Sequence, residues 1–146
     1  MIISRCRYKE IVCLLFVLFL LPGILTAETF QGKCVSVVEG DTIGVMKNGK
    51  KTRVRLYGID APEKCQDYGI KAKKFTSGLV YGKEVTVEVK GRDRYGRAIG
   101  RVFVNGTDVN LEIAKNGYAW HYKRYSPDIN FANAEAEAES KTSLGL

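Results

Sequence analysis

Acidic and cationic residues gather in three short segments of this 146-residue chain: 39–42 (Glu-Gly-Asp-Thr), 55–63 (Arg-Leu-Tyr-Gly-Ile-Asp-Ala-Pro-Glu) and 93–97 (Asp-Arg-Tyr-Gly-Arg). Metal-assisted hydrolysis of a phosphodiester needs oxygen ligands for a divalent cation and a group that activates water. It also needs cations that stabilise the charge developing around the phosphorus. The three segments together contain each of these groups, so they predict a phosphodiester hydrolase.

The candidate metal ligands are Asp41, Asp60 and the backbone carbonyl of Ala61. Hard divalent cations such as calcium take carboxylate and carbonyl oxygens and tolerate irregular geometry. Pro62 restricts Ala61 to an extended conformation, so Asp60 and Glu63 are expected to leave a strand on a stiff segment. So few protein ligands predict weak calcium binding that the substrate phosphate strengthens. For Asp41 alone, a turn-capping role is the alternative.

Arg55 and Arg97 are the candidate phosphate-binding cations, and Glu63 is the candidate base. Arg55 alternates with apolar neighbours and is expected to point outward from its strand. Since Arg55 and Asp60 are five residues apart, a straight strand would place them on opposite faces, so a shared site requires a bend, which we expect at Gly58. The planar fork of Arg97 suits bidentate contact with phosphate. The alternatives are a solvated strand arginine and a charged hairpin connection.

Aromatic and cationic residues also cluster near the C-terminus, in a mixture suited to stacking a base beside a phosphate contact. Trp120 is expected in the core, because tryptophan is highly buried on average. His121 is expected to be partly exposed, and the sequence assigns it no role. The other members of the cluster are Tyr118, Tyr122, Lys123, Arg124 and Tyr125.

Hydrophobic periodicity predicts mainly strands in the first half of the chain and helices later. Asn48-Gly49 is a strong signal for a tight hairpin, and Ala-Glu repeats near the C-terminus favour helix over strand by propensity. Five short strands with a helix between the third and fourth predict an α+β, mainly β fold: a five-stranded Greek-key barrel of oligonucleotide-binding (OB) type, flanked by three helices. The expected strands are 30–38, 42–46, 52–59, 85–89 and 98–104, and the expected helices are 69–81, 108–115 and 128–141.

Residues 1–27 have the pattern of a targeting segment, with basic residues before an apolar run and Ala27 at the end. The run from Ile11 to Leu25 is shorter than the roughly 20 residues of a spanning helix. We expect cleavage after Ala27 and a secreted or periplasmic product. An uncleaved leader that tethers the protein to the membrane is the alternative. Residues 28–146 are then expected to form one domain.

Charge and cysteine content limit the environment and the partners. The chain has a formal net charge of +7, and a basic surplus suits a polyanionic partner without proving one. Cys34 and Cys65 are the two cysteines after the leader. In an oxidising compartment they either form a disulfide or remain two separate thiols.

Taken in order, the three motifs at 39–42, 55–63 and 93–97 resemble those of the micrococcal (staphylococcal) nuclease family, also called thermonucleases, and the likeness runs from about Phe30 to Lys141. The resemblance implies an OB barrel with three helices. It also implies calcium-dependent cleavage of DNA and RNA at the 5′ side of the phosphodiester, leaving 3′-phosphates. No protein partner is implied, and a monomer is expected.

Carried over by motif, the family's calcium carboxylates fall on Asp41 and Asp60, and its carbonyl ligand falls on Ala61. The family's catalytic arginines fall on Arg55 and Arg97, and its catalytic glutamate, a base or an organiser of water, falls on Glu63. Tyr95 resembles a tyrosine that contacts the substrate phosphate, and Tyr122 or Tyr125 takes the place of one that stacks on a base. Glu39 departs from the family's usual Asp, at a position outside the ligand set. The alternative function is a barrel that binds nucleic acid without cutting it.

Overall fold

The computed structural model describes residues 28–143, so the predicted leader lies outside the described residues. Five longer strands, three short strands and three helices make up this range. The elements, in chain order, are β1 (Thr29–Glu39), β2 (Thr42–Lys47), β3 (Lys50–Leu56), β4 (Ile59–Asp60), α1 (Gly69–Val80), β5 (Glu84–Arg92), β6 (Ala98–Val104), β7 (Thr107–Asp108), α2 (Val109–Lys115), β8 (Trp120–His121) and α3 (Ile129–Ser143).

The five long strands close into a mixed barrel. The sheet order is β3-β2-β1-β5-β6-β7, and an additional pairing joins β3 to β6. This closing pair is parallel, with Val54 opposite Ala98, whereas the other pairs are antiparallel. Closure leaves the main barrel strands without a free edge. The predicted five-stranded OB barrel with three helices is therefore confirmed.

The hydrophobic alternation and the turn signals act as expected. Val85, Val87 and Val89 on β5 are all buried and face the barrel interior. Asn48 and Gly49 both have positive φ, 49° and 75°, as a type I′ hairpin requires. That turn fixes the register in which β2 and β3 pair.

The third strand ends earlier than predicted, at Leu56 instead of residue 59. Gly58 has a φ of 81°, a backbone conformation that residues with a Cβ rarely adopt. A Cβ there would also lie 2.4 Å from Cε2 of Phe131. The chain turns at this glycine and continues as the short strand β4, so the bend expected at Gly58 is present.

The three helices agree with the predicted ranges to within two residues at each end. The side chain of Asp108 caps α2 by accepting a hydrogen bond from the Leu111 backbone N–H at 3.1 Å. Phe131 and Ala134 hold α3 on the barrel, where both are buried. Across residues 28–143, every helix is too short or too polar to cross a membrane.

Two polar residues that the sequence analysis did not single out join the elements. Asn110 is fully buried, and its amide donates to the carbonyls of Tyr57 (2.8 Å) and Gly100 (3.1 Å) while accepting the Val102 N–H at 3.0 Å. It thereby links the end of β3 to β6. Arg101 pairs with aspartates near the starts of α2 and α3.

The exposure of Trp120 and the state of the two cysteines settle two expectations. Trp120 is 58% exposed, so its predicted place in the core was wrong. Burial alternates over residues 119–121, so that Ala119 and His121 face the protein and Trp120 faces away from it. Cys34 is buried in β1 and Cys65 is exposed, and both are free thiols, which is the second of the two alternatives.

Candidate active site

The turn between β1 and β2 places Asp41 in the wall of the barrel. The carbonyl of Gly40 accepts a hydrogen bond from the hydroxyl of Thr76 on α1, at 2.6 Å. A Cβ at Gly40 would lie 2.8 Å from the Cβ of Ala61 and 2.9 Å from that of Ala72. Because α1 packs so closely on this turn, Asp41 is held at 1% exposure.

Arg55 lies between two carboxylates. Its Nη1 pairs with Oδ1 of Asp41, and its Nη2 lies 2.5 Å from Oδ1 of Asp60. Asp41 also accepts hydrogen bonds from the Thr42 hydroxyl at 3.0 Å and from the Ala61 backbone N–H at 2.7 Å. The bend after β3 therefore brings together the residues that a straight strand would separate.

The charges of this cluster favour a further cation. Burial raises the pKa of Asp41, and the nearby carboxylate of Asp60 adds to that rise, while Arg55 and the hydrogen bonds from Ala61 and Thr42 oppose it. One guanidinium faces two carboxylates, so negative charge is in excess when both are ionised.

The oxygen donors of the cluster suit a hard divalent cation. Residues 28–143 contain no group of three His, Cys, Asp or Glu side chains that could hold a metal. A cation at Asp41 and Asp60 would therefore need backbone or water oxygens in addition. The backbone of Ala61 lies beside Asp41, as the hydrogen bond from its N–H shows.

A single groove of about 740 Å³ collects most of the predicted site residues. Asp41 and Ala61 are not part of its lining, and both are buried. The sequence analysis gave no role to Glu39, Lys90 or Arg94, which also line the groove. Glu39 and Arg94 belong to the motifs themselves and Lys90 lies three residues before one, which was the available signal. The predicted residues in the lining are Arg55, Asp60, Glu63, Tyr95, Arg97, Tyr122 and Tyr125.

Asp93 organises the turn that presents Arg97. Its Oδ1 accepts the backbone N–H groups of Tyr95 (2.9 Å) and Arg97 (3.0 Å), and its Oδ2 accepts Nε of Arg97 at 2.6 Å. Burial alone would raise the pKa of Asp93, but the bonds from Arg97 and Tyr95 outweigh it and lower that pKa. Because Asp93 engages Arg97 through Nε, the arginine side chain is oriented before any substrate arrives.

Glu63 is exposed in the groove, and a compact turn holds its backbone. Its N–H donates to Oε1 of Gln66 at 2.8 Å. A Cβ at Gly69, the first residue of α1, would lie 1.8 Å from the Glu63 carbonyl oxygen. The start of α1 therefore packs directly on the segment that carries the candidate base.

The predicted substrate-binding tyrosines are exposed around the groove. Tyr95, Tyr122 and Tyr125 are 68%, 39% and 61% exposed, and the rings of the last two lie 4.8 Å apart. The guanidinium of Arg94 lies over the Tyr95 ring at 4.8 Å. The Tyr122 N–H donates to the Gly58 carbonyl at 2.9 Å, which ties this loop to the bend. Exposed rings beside cations suit base stacking and phosphate contact.

Comparison with known proteins identifies the family of the chain. Residues 53–146 match the family model described as staphylococcal nuclease homologue. A Haemophilus influenzae protein described as an uncharacterized endonuclease is 39% identical over 139 residues, which cover 94% of this chain and 78% of the relative. An Escherichia coli protein of the same description is 44% identical over 113 residues, or 77% of this chain and 74% of the relative. A micrococcal nuclease of Shigella flexneri is 36% identical over 127 residues, or 80% and 73%. The chain belongs to the staphylococcal nuclease family.

Proposed function

We propose that this protein is a calcium-dependent, sugar-nonspecific endonuclease that hydrolyses DNA and RNA to products with 3′-phosphate ends. The observation that carries the proposal is the groove in which Arg55, Glu63 and Arg97 line one surface beside Asp60, with Asp41 buried at its edge. These groups match the needs of phosphodiester hydrolysis. The endonuclease and nuclease descriptions of the relatives support the same class of reaction.

Each residue has a defined task in the proposed reaction. Glu63 accepts a proton from the attacking water or holds that water in line. The water oxygen bonds to phosphorus and the bond from phosphorus to the 5′ oxygen breaks. The 5′ oxygen takes up a proton from solvent and leaves as a hydroxyl, and the phosphate stays on the 3′ oxygen. Arg55 and Arg97 donate hydrogen bonds to the phosphate oxygens as their charge grows.

The acidic cluster supplies the place for the metal. Calcium held by Asp41, Asp60 and the Ala61 carbonyl would neutralise charge and polarise the phosphate. Arg55 is shared between both carboxylates, so a substrate phosphate must compete with them for its guanidinium. Tyr95 is proposed to contact a phosphate, and Tyr122 or Tyr125 to stack on a base.

The alternative is a barrel that binds nucleic acid without cutting it. Such a binder has no need for Glu63 in the groove, nor for two carboxylates against one arginine.

We further propose that the protein acts outside the cytoplasm, because its N-terminal sequence has the pattern of a targeting segment. It would be secreted, periplasmic or tethered to the membrane by its leader. We also propose that it acts as a monomer.

The test is cleavage of end-labelled DNA and RNA by the purified protein with calcium, with magnesium and with a chelator. We expect cleavage of both nucleic acids with calcium, little with magnesium because its smaller shell demands octahedral geometry, and none with chelator. The products should require removal of a 3′-phosphate before a polymerase extends them. Binding without cleavage under every condition would favour the alternative, and full activity in chelator would exclude the calcium site.

A further inference from the structure

A second pocket lies beside the segment that carries Glu63. Its volume is about 290 Å³, close to the lower limit of roughly 300 Å³ for ligand pockets. Pro62, Gln66, Asp67 and Tyr118 line it, and so do Tyr68 and Trp120, whose side chains are exposed. None of these six residues has a task in the proposed reaction.

Two of the three aromatic residues of this pocket are exposed, and the third is braced. Trp120 is 58% exposed and Tyr68 is 55% exposed. Tyr118 stacks on Phe75 with ring centroids 4.4 Å apart, so its ring is braced by α1. The backbone of Trp120 is fixed opposite Asp60 in the pairing of β4 with β8. Exposed rings beside an apolar wall form a surface on which a flat apolar ligand stacks.

Charges of both signs lie around Trp120. Beside the second pocket, the ammonium of Lys71 lies 4.8 Å from the centre of the Tyr68 ring, and the carboxylate of Asp67 also lines the pocket. Trp120 lines a further depression together with Glu135 and Glu139 of α3, where Glu135 is paired with Lys123 at 3.0 Å. The aromatic surface, and not a one-sided charge, is therefore the feature that suits a ligand here.

The second pocket adjoins the active-site groove. Glu63 lines the groove and Gln66 lines the pocket, and Oε1 of Gln66 accepts the Glu63 N–H. Asp60 lines the groove, and Trp120, its partner across the strands, lines the pocket. A nucleic acid whose scissile phosphate sits at Arg55 and Arg97 therefore has the pocket beside its path.

We propose that this pocket is a base-binding subsite, in which Trp120 and Tyr68 stack a nucleobase of the substrate strand outside the scissile position. The inference rests on the proposed function, because the strand reaches the pocket from the active-site groove. Stacking on aromatic side chains tolerates any base. The subsite would therefore strengthen binding of longer strands without selecting a sequence.

The experiment compares cleavage of oligonucleotides that carry one abasic nucleotide, moved stepwise along the strand, by wild-type protein and by Trp120→Ala. For wild type we expect one abasic position away from the cut to raise KM by roughly 5- to 150-fold, the range of one base stack. Trp120→Ala should raise KM for intact strands by a similar factor. In this variant an abasic nucleotide at that one position should no longer raise KM. The variant should keep kcat within about twofold and keep its calcium requirement.

Matched variants separate stacking from folding. Trp120→Phe should retain most of the affinity, and Tyr81→Ala, which removes another exposed aromatic at 60% exposure outside both lined surfaces, should leave KM unchanged. Trp120 is the single tryptophan of the chain. Its fluorescence in Glu63→Gln should therefore be quenched by an intact oligonucleotide and much less by one abasic at the sensitive position.

Equal KM values for wild type and Trp120→Ala would overturn the subsite while leaving the proposed nuclease activity intact. The same holds if the KM of both proteins does not depend on the position of the abasic nucleotide. A loss of kcat or a changed calcium requirement in Trp120→Ala would show that Trp120 supports Asp60 instead of a base. Absence of cleavage by wild-type protein would refute the proposed function itself.

Discussion

Removing the guanidinium of Arg55 should destabilise the fold far more than its position on a half-exposed strand suggests. Asp41 is 1% exposed, and Arg55 is the cation that pairs with it. In Arg55→Ala the carboxylate keeps only the neutral donors, the Thr42 hydroxyl and the Ala61 N–H. Breaking a buried ion pair from one side costs about 3–5 kcal/mol, because it leaves the other charge buried and unpaired.

The expected loss lies below that full range. The Arg55 side chain is 19% exposed, so water partly screens the pair, and two hydrogen bonds to Asp41 survive. We therefore expect Arg55→Ala to lower the unfolding free energy by about 2–4 kcal/mol in chelator. Asp41→Asn removes the buried charge itself, and Arg55 keeps Asp60 as partner, so that variant should lose about 1–2 kcal/mol.

The assay is urea unfolding of both single variants and the double variant in chelator. The two changes touch the same ion pair, so the double variant should be more stable than the sum of the single losses predicts, by about 1–3 kcal/mol. Arg53→Ala is the matched control, because Arg53 is exposed on the same strand and should change stability by no more than about 0.5 kcal/mol. If Arg55→Ala unfolds like Arg53→Ala, the buried ion pair is not as the structure shows it.

Three further outcomes are expected. Gly58→Ala should lose about 2–4 kcal/mol of unfolding free energy, from backbone strain and from contact with the Phe131 ring. The control Gly96→Ala, with a φ of 77° but open space around its Cα, should lose about 1 kcal/mol. Urea unfolding measures both losses. Burial raises the pKa of Glu135, but hydrogen bonds from a lysine and a backbone N–H outweigh it and lower that pKa below 4.5. The stability that this carboxylate contributes is therefore present above pH 4.5 and is lost as the pH falls through the pKa of the folded protein. In Glu135→Gln the urea midpoint should accordingly fall less steeply on acidification. Under native conditions alkylation should modify Cys65 quickly and Cys34 slowly, because burial shields Cys34 and raises its pKa; mass spectra showing an intramolecular disulfide would contradict the two free thiols.

Local signals were enough to predict most of the fold. The alternation of Val85, Val87 and Val89 and the Asn48-Gly49 turn depend on neighbours in sequence, so they can be seen without a structure. The parallel pairing of β3 with β6 joins residues far apart in the chain; the expected barrel did not specify that this pair is parallel. The predicted third strand ran to residue 59 because hydrophobic residues continue to Ile59, whereas the positive φ of Gly58 follows a strand that already ends at Leu56.

The candidate site shows the same division. Residue types at 41, 55, 60 and 63 indicated the chemistry, and the bend that unites them was expected from a glycine. The sequence did not show that Asp93 orients Arg97 or that Lys90 lines the groove. Both depend on the conformation of the chain where β5 connects to β6. Trp120 was wrongly predicted to lie in the core because the prediction used the average burial of tryptophan. The alternation of burial over residues 119–121 exposes its side chain instead.

The most direct test of the account is the turnover of Glu63→Gln and Arg97→Ala at saturating DNA and calcium, with Arg92→Ala as control. Arg92 lies near Arg97 in sequence and carries the same charge, but it pairs with Glu28 on the surface and does not line the groove. Lys90 is unsuitable as a control because it lines the groove. Glu63→Gln and Arg97→Ala should each lose about 10²–10³ in kcat, as when one preorganised transition-state partner is removed, while Arg92→Ala keeps wild-type kcat. Wild-type turnover in Glu63→Gln, or equal turnover in Arg97→Ala and Arg92→Ala, would contradict the account.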